Sequence, residues 1–249
     1  MHEPNTGYDG NGTRPRVAVL ISGRGSNMGA LVDSARQDAF PAAVTAVISN
    51  RPGAAGLDYA RRAGIETLTI DHKAFGSPSE FEAQLDAALK ARDIELVCLA
   101  GFMKLLSAAF TERWEGRLLN IHPSLLPAFK GLNVHRRVID AGVRLTGCTV
   151  HLVTADMDSG PILVQAAVPV LLDDTPDRLA QRVLAAEHSC YPHALSLYAS
   201  GKLQLSAGKI IAVPGDPPEH GNANGTPPTC MIMAPTFAGT TAGDPTRDA

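Results

Sequence analysis

Short apolar runs alternate with stretches of helical periodicity along the first half of the chain. Residues 16–22 (RVAVLIS), 43–49 (AVTAVIS), 66–70 (ETLTI), 94–100 (IELVCLA) and 117–121 (RLLNI) have strand length and aliphatic character. Between them, residues 26–36, 53–63, 77–92 and 107–114 read as helices. The third of these is amphipathic, with Phe81, Leu85 and Leu89 on one face, Ser77 as its cap and Pro78 at its first position. A strand followed by a helix, repeated with short connections, predicts an α/β fold with an open, mostly parallel, doubly wound, Rossmann-like sheet. The most apolar strand, 94–100, is its expected centre.

The pattern changes after a helix over 133–141, which Gly142 ends. Residues 146–154 and 161–170 read as two strands joined by the polar link ADMDSG, which predicts an antiparallel hairpin at one edge of the sheet. Residues 175–200 follow as a long helix with Thr175 as cap and Pro176 at its first position; Pro192 is expected to kink or split it. Residues 1–15 and 207–249 are rich in Gly, Pro and polar side chains and are expected to be disordered. Within the second of these, Met231, Ile232 and Met233 form an apolar stretch able to dock. One folded domain is therefore predicted over 16–206.

Composition narrows the class. In 249 residues, 45% are apolar, enough for a full core, and the formal charge of −3 supplies no basic field for nucleic acid. No apolar run has the length of a membrane span or the form of a signal peptide. Cys98, Cys148, Cys190 and Cys230 show neither pairing nor regular spacing, and Cys98 and Cys148 lie within apolar runs as buried thiols. The expectation is a soluble, cytoplasmic protein.

The candidate chemistry centres on LLNIHPSLLP, residues 118–127. Asn120 and His122 are two apart, so they share one side of an extended chain, and Pro123 and Pro127 stiffen the backbone after them. An amide donor and an imidazole aimed together suit a carbonyl whose oxygen gains charge. The loop Ser22-Gly23-Arg24-Gly25-Ser26-Asn27, between a strand and a helix start, suits a phosphate or serves as a plain tight turn. It is no dinucleotide fingerprint, because Met28 stands where a small residue is needed and the second strand ends in Ser49-Asn50 with no acidic residue. It is no Walker loop either. Asp156 and Asp158 in the hairpin link are turn formers or charge partners; a carboxylate near His122 would raise its pKa. His151 is either a further partner in the cleft or a satisfied core histidine. Glu187 reads as a solvated-face residue, and Phe102 to Leu106 as cleft wall or ordinary packing. None of the eight histidines has metal-site spacing, so no metal is expected. The glycine loop and the Asn120–His122 pair both fall at carboxyl ends of strands and are expected to share one cleft.

Taken in order, SGRGSN, AGFMKLL, LLNIHPSLLPAFKG, HLVTADMDSGP and AAEHSCYP resemble the phosphoribosylglycinamide formyltransferases of purine biosynthesis over residues 16–205. The SLLP element alone is similar to the wider group that uses formyltetrahydrofolate. The resemblance implies Asn120, His122 and Asp158 as catalytic residues. It implies Gly25, Ser26, Asn27 and Glu187 as the substrate phosphate and ribotide site. The folate pocket would be Met103, Lys104, Leu105, Leu106, Asn120, Thr154, Ala155, Asp156, Met157 and Asp158. It further implies 10-formyltetrahydrofolate as cosubstrate, glycinamide ribonucleotide as acceptor, and a monomer or homodimer. Two positions depart from the family pattern: Pro78 stands where an Arg that helps bind folate is frequent, and Asn133 where a His is common.

Three alternatives carry the same sheet. A formyltetrahydrofolate hydrolase is expected to have a regulatory domain ahead of the sheet, where about 15 polar residues stand here. A methionyl-tRNA formyltransferase needs an RNA-binding domain, which the Pro/Gly-rich tail does not resemble. A non-catalytic nucleotide-binding module fits the fold but leaves Asn120, His122 and Asp158 without a use.

Overall fold

Along the first strand, β1 (Arg16–Ile21), Val17, Val19 and Ile21 face one apolar core while Ala18 and Leu20 face another. That is the period-two pattern of a strand buried on both sides. The computed structural model describes residues 14–213 and 231–233. After β1 come α1 (Ser26–Ala35), β2 (Ala43–Ser49), α2 (Ala55–Arg62) and β3 (Glu66–Thr69). Next are α3 (Pro78–Lys90), β4 (Leu96–Leu99), α4 (Ala108–Arg113), β5 (Leu118–His122) and α5 (Val134–Asp140). The domain continues with β6 (Leu145–Leu152), β7 (Ile162–Pro169) and α6 (Pro176–Ala199). Side chains of α1, α2, α5 and α6 fill the first core; those of α3 and α4 fill the second.

The strands β3, β2, β1, β4 and β5 lie side by side and parallel, and β6 and β7 extend this sheet antiparallel beyond β5. The chain winds from β1 out to β3, then returns to β4 on the other side of β1. That reversal opens the crevice at the carboxyl ends of β1, β4 and β5. The α/β class, the parallel sheet, the interior place of β4 and the antiparallel hairpin all agree with the sequence reading.

Helix α3 begins as its sequence dictates: the Ser77 side chain accepts from the Glu80 N–H and Pro78 takes the first turn. Helix α6 is continuous over 24 residues with Pro192 inside it, rather than split. Proline removes one backbone bond. Burial of Leu179, Val183, Cys190, Tyr191 and Ala194 along the same helix outweighs that local loss. Tyr191 adds a tie, its hydroxyl lying 2.9 Å from the Leu119 carbonyl and 3.2 Å from that of Leu99.

Two elements were not foreseen. Strands β8 (Leu203–Ser206) and β9 (Lys209–Ala212) pair antiparallel around Ala207 and Gly208, whose φ values of 47° and 74° are those of a two-residue hairpin turn. The ordered chain therefore runs past 206, where the sequence reading ended the folded domain. The apolar alternation of LQLS and KIIA was the signal missed. Strand β10 (Met231–Met233) then pairs antiparallel with β7, Met233 opposite Gln165, as the eighth strand of the sheet. The docking stretch in the tail is thus a sheet edge. At the other terminus Arg14 is ordered, its guanidinium donating to the carbonyls of Ala35 and Ala42. The remaining residues for which disorder was expected lie outside the described ones.

Candidate active site

Strand β5 exposes Asn120 and His122 on the sheet face opposite Leu119 and Ile121, which belong to the first core. Strand β6 runs antiparallel beside it and sets His151 opposite Asn120 and Thr149 opposite His122. Cross-strand neighbours on one face approach within side-chain reach, so the ladder assembles a polar cluster on an otherwise apolar sheet. A register shift between Val150 and His151 on the β7 side marks a bulge where the cluster begins.

The hairpin link supplies the carboxylate. Asp158, at φ 49°, folds back so that Oδ2 lies 3.4 Å from His122 Nδ1 and Oδ1 lies 3.9 Å from His151 Nε2. The Gly131 N–H donates to Asp158 Oδ2 at 2.9 Å. The second ring nitrogen of His122, Nε2, lies 3.0 Å from the Phe129 carbonyl. Both nitrogens of His122 are therefore engaged, one by a carboxylate and one by the loop that follows the strand.

His151 resolves to the cleft rather than the core. Its Nδ1 lies 2.9 Å from the Leu152 carbonyl, which fixes that nitrogen as donor and leaves the Nε2 lone pair to accept from the Asn120 amide at 3.3 Å. Burial lowers the His151 pKa; the Leu152 carbonyl and Asp158 oppose that shift, and His122 and Lys130 reinforce it. A neutral imidazole thus orients Asn120, whose amide nitrogen keeps a second hydrogen for another acceptor.

The cluster forms the floor of a cavity of about 610 Å³. Its walls include Met103, Lys104, Leu105, Leu106, Thr154, Ala155, Asp156, Met157 and Asp158, together with Asn120 and His122. Leu132, Asn133, Val134 and His135 also line it, although of these only Asn133 was singled out from the sequence. Volume, apolar walls and a few converging polar groups suit a small-molecule ligand. Met103, Leu105, Leu132 and Met157 are largely exposed at its rim. Pro78 is not among the lining residues. Burial lowers the His135 pKa, and the His122 charge adds to that. Among the described residues, no group of three or more His, Cys, Asp or Glu could hold a metal ion, and no helix is long and apolar enough to cross a membrane.

The glycine loop lies at the end of β1, two strands from β5 and so about 10 Å away. It shares the sheet end with the cavity but does not line it. Gly25 caps α1 at φ 69°, a conformation that glycine adopts freely, and Ser26 and Asn27 open the first turn. Asn27 Nδ2 donates to Glu187 Oε2 at 2.6 Å, while its buried Oδ1 has no partner. Glu187 is buried, which overturns its solvated-face reading; burial raises its pKa and the Asn27 hydrogen bond works the other way. The two regions are bridged by Ser22, whose hydroxyl donates to Asn50 Oδ1 at 2.6 Å and accepts the Met103 N–H at 2.7 Å. Ser22 stood in the SGRGSN motif, but nothing in its spacing announced the bridge.

This fold and this polar cluster define a formyl transferase. The model of the formyl transferase family matches residues 15–195, and the chain belongs to that family. Within it the chain is one of the phosphoribosylglycinamide formyltransferases. It is 43% identical over 189 residues to the phosphoribosylglycinamide formyltransferase of Escherichia coli, covering 76% of this chain and 89% of that protein. The glycinamide ribonucleotide transformylase 1 of Symbiobacterium toebii superposes with a TM-score of 0.79 at 46% identity, over 82% of this chain and 96% of that one. Similarity extends to the trifunctional purine biosynthetic protein adenosine-3 of Gallus gallus, 53% identical over 196 residues that cover 78% of this chain. The chain spans only 20% of the length of that larger relative.

Proposed function

We propose that the protein transfers the formyl group of 10-formyltetrahydrofolate to the amine of glycinamide ribonucleotide. The products are formylglycinamide ribonucleotide and tetrahydrofolate. The observation that supports this most is the joining of Asn120, His122, His151 and Asp158 at the floor of a ligand-sized cavity. Beside it, a helix N-terminus carries Ser26 and Asn27.

In this reading the folate enters between Met103 to Leu106 and Thr154 to Asp158, and the ribotide phosphate rests on Gly25, Ser26 and Asn27. Glu187, held by Asn27, faces the ribotide. The neutral amine attacks the formyl carbon; the new C–N bond forms as the carbonyl π pair moves to oxygen. Asn120 donates its remaining amide hydrogen to that oxygen. His122, set between Asp158 and the Phe129 carbonyl, lends an N–H once one of its two partners yields. One such donor contributes about 10²–10³ in rate. The ammonium proton passes through Asp158 and water to N10; the oxyanion pair then re-forms the C=O as the C–N10 bond breaks with its electrons on N10, and tetrahydrofolate leaves. Acid/base help of this kind is worth roughly 10²–10⁴. Anchoring both substrates makes the attack effectively unimolecular.

The test is to follow formyl loss from 10-formyltetrahydrofolate with and without glycinamide ribonucleotide. Loss that depends on the ribotide is expected. Loss at the same rate without it would make water the acceptor and the protein a hydrolase, and no loss at all would leave a binding module.

A further inference from the structure

The loop over residues 123–129 leaves His122 and comes back to it, and most of what holds the loop lies outside the loop. Ser124 N–H donates to the His122 carbonyl at 2.9 Å, Ser124 Oγ to the Ala128 carbonyl at 2.6 Å, and the Phe129 carbonyl meets His122 Nε2. The middle of this ring is gripped from two neighbouring strands. Thr149 on β6 is fully buried. Its hydroxyl donates to the Ser124 carbonyl at 2.7 Å and accepts the Leu126 N–H at 3.0 Å and a Gln165 amide hydrogen at 2.9 Å. One donor and two lone pairs are all a hydroxyl has. Gln165 on β7 gives its other amide hydrogen to the Leu126 carbonyl at 3.0 Å. Both main-chain groups of Leu126 thus end on side chains of the sheet. Phe129, where the loop closes, has φ 54°, a left-handed conformation that costs energy for a bulky residue and persists where the surroundings enforce it.

We infer that Thr149 and Gln165 are positioning residues for formyl transfer: they hold the loop of residues 123–129 so that Phe129 presents its carbonyl to His122 Nε2. Neither lines the cavity, so neither touches substrate. Their action is through the loop. With Nε2 held at Phe129, the ring keeps Nδ1 on the side of Asp158 and the cavity, and Nδ1 is then the nitrogen whose partner yields in the proposed transfer. Removing the Thr149 hydroxyl leaves the Ser124 carbonyl, the Leu126 N–H and one Gln165 hydrogen unpaired in a buried place, and the loop must move to satisfy them. A displacement near 1 Å at a catalytic group costs about 10²-fold in rate.

The inference rests on the formyl-transfer reading, and the experiment separates the two. Thr149→Val keeps the shape and loses the hydroxyl; Thr149→Ser keeps the hydroxyl. Steady-state rates with both substrates are expected to show kcat down by about 10-fold to 10²-fold in Thr149→Val, with KM for the ribotide unchanged, and recovery in Thr149→Ser. Gln165→Met, at a half-buried position, is expected to lower kcat in the same way and serves should Thr149→Val fail to fold. In parallel, NMR of the full chain follows the hydrogen-bonded Nε2–H of His122, assigned by its loss in His122→Gln. That signal should persist in wild type and Thr149→Ser and vanish in Thr149→Val and Gln165→Met. An unchanged signal in those two variants overturns the inference, as does a Thr149→Val loss that serine does not repair. If the wild-type protein transfers no formyl group, the enzymatic reading fails while the NMR comparison still decides whether these side chains hold His122.

Discussion

Asn120 and His151 face each other across the β5–β6 ladder, with the amide nitrogen of one 3.3 Å from Nε2 of the other. The contact works only while His151 is neutral, since a protonated ring has no lone pair to accept with. Burial favours that form by lowering the His151 pKa from its usual 6.5, and His135 and His188 shift the same way. Below about pH 6.5 the unfolded chain binds protons at these positions that the folded chain does not. Stability is therefore full above that range and falls as pH drops through it towards the lowered folded values. Thermal melts between about pH 8 and pH 5 should show this slope. His151→Gln, which keeps an acceptor for Asn120, should flatten it.

Removing the amide of Asn120 by Asn120→Ala should lower kcat by about 10²–10³ with little change in either KM. Asp158→Asn keeps an oxygen for the Gly131 N–H and removes the charge beside His122. It should cost roughly 10²–10⁴ in kcat, read by single-turnover formyl transfer. Equal rates in wild type and variant would remove Asp158 from the chemistry.

Glu187 is costly to the free protein. Burial raises its pKa, so ionisation near neutral pH opposes folding: the stability present below its usual value near 4.5 is lost as pH rises through the raised one. Glu187→Gln should raise Tm at pH 7 while still accepting from Asn27. The same change should raise KM for the ribotide by about tenfold, the scale of one hydrogen bond to a charged group. Calorimetry and initial rates together check both signs.

Gly160 closes the link that carries Asp158. A Cβ there would lie 1.8 Å from the Leu152 carbonyl oxygen and 2.9 Å from its carbon, both backbone atoms that cannot step aside. Gly160→Ala should therefore shift the link, lower Tm by an overpacking cost of about 1–3 kcal/mol, and reduce kcat more than KM for the ribotide. A variant with unchanged Tm and kcat would show that the link tolerates the displacement.

Much of this architecture was legible because it is local. The strand runs, the caps Ser77 and Thr175, and the ADMDSG turn each follow from neighbouring residues, and so does the alternation that puts Asn120 and His122 on one side. What stayed hidden depends on contacts between distant segments. Glu187 lies 160 residues from Asn27, and only the packing of α6 on α1 turns an apparent surface acid into a buried partner. The engagement of His122 by Phe129 needs a left-handed residue after two prolines, which no periodicity reveals. The hairpin β8–β9 was local and still missed, its alternation obscured by the Gly- and Pro-rich composition just beyond it.

Strand β10 covers a place where sheets are prone to self-assembly. Without it, the main-chain N–H and C=O groups that β7 turns outward opposite Met231–Met233 would stand unpaired, a template for another chain's strand. A chain ended after Val213 should keep the cavity and its rates in dilute solution. As concentration rises it should associate edge to edge, visible as growth in sedimentation coefficient that the full chain lacks. In this light β10 acts as a stopper, closing an edge that another strand would otherwise extend.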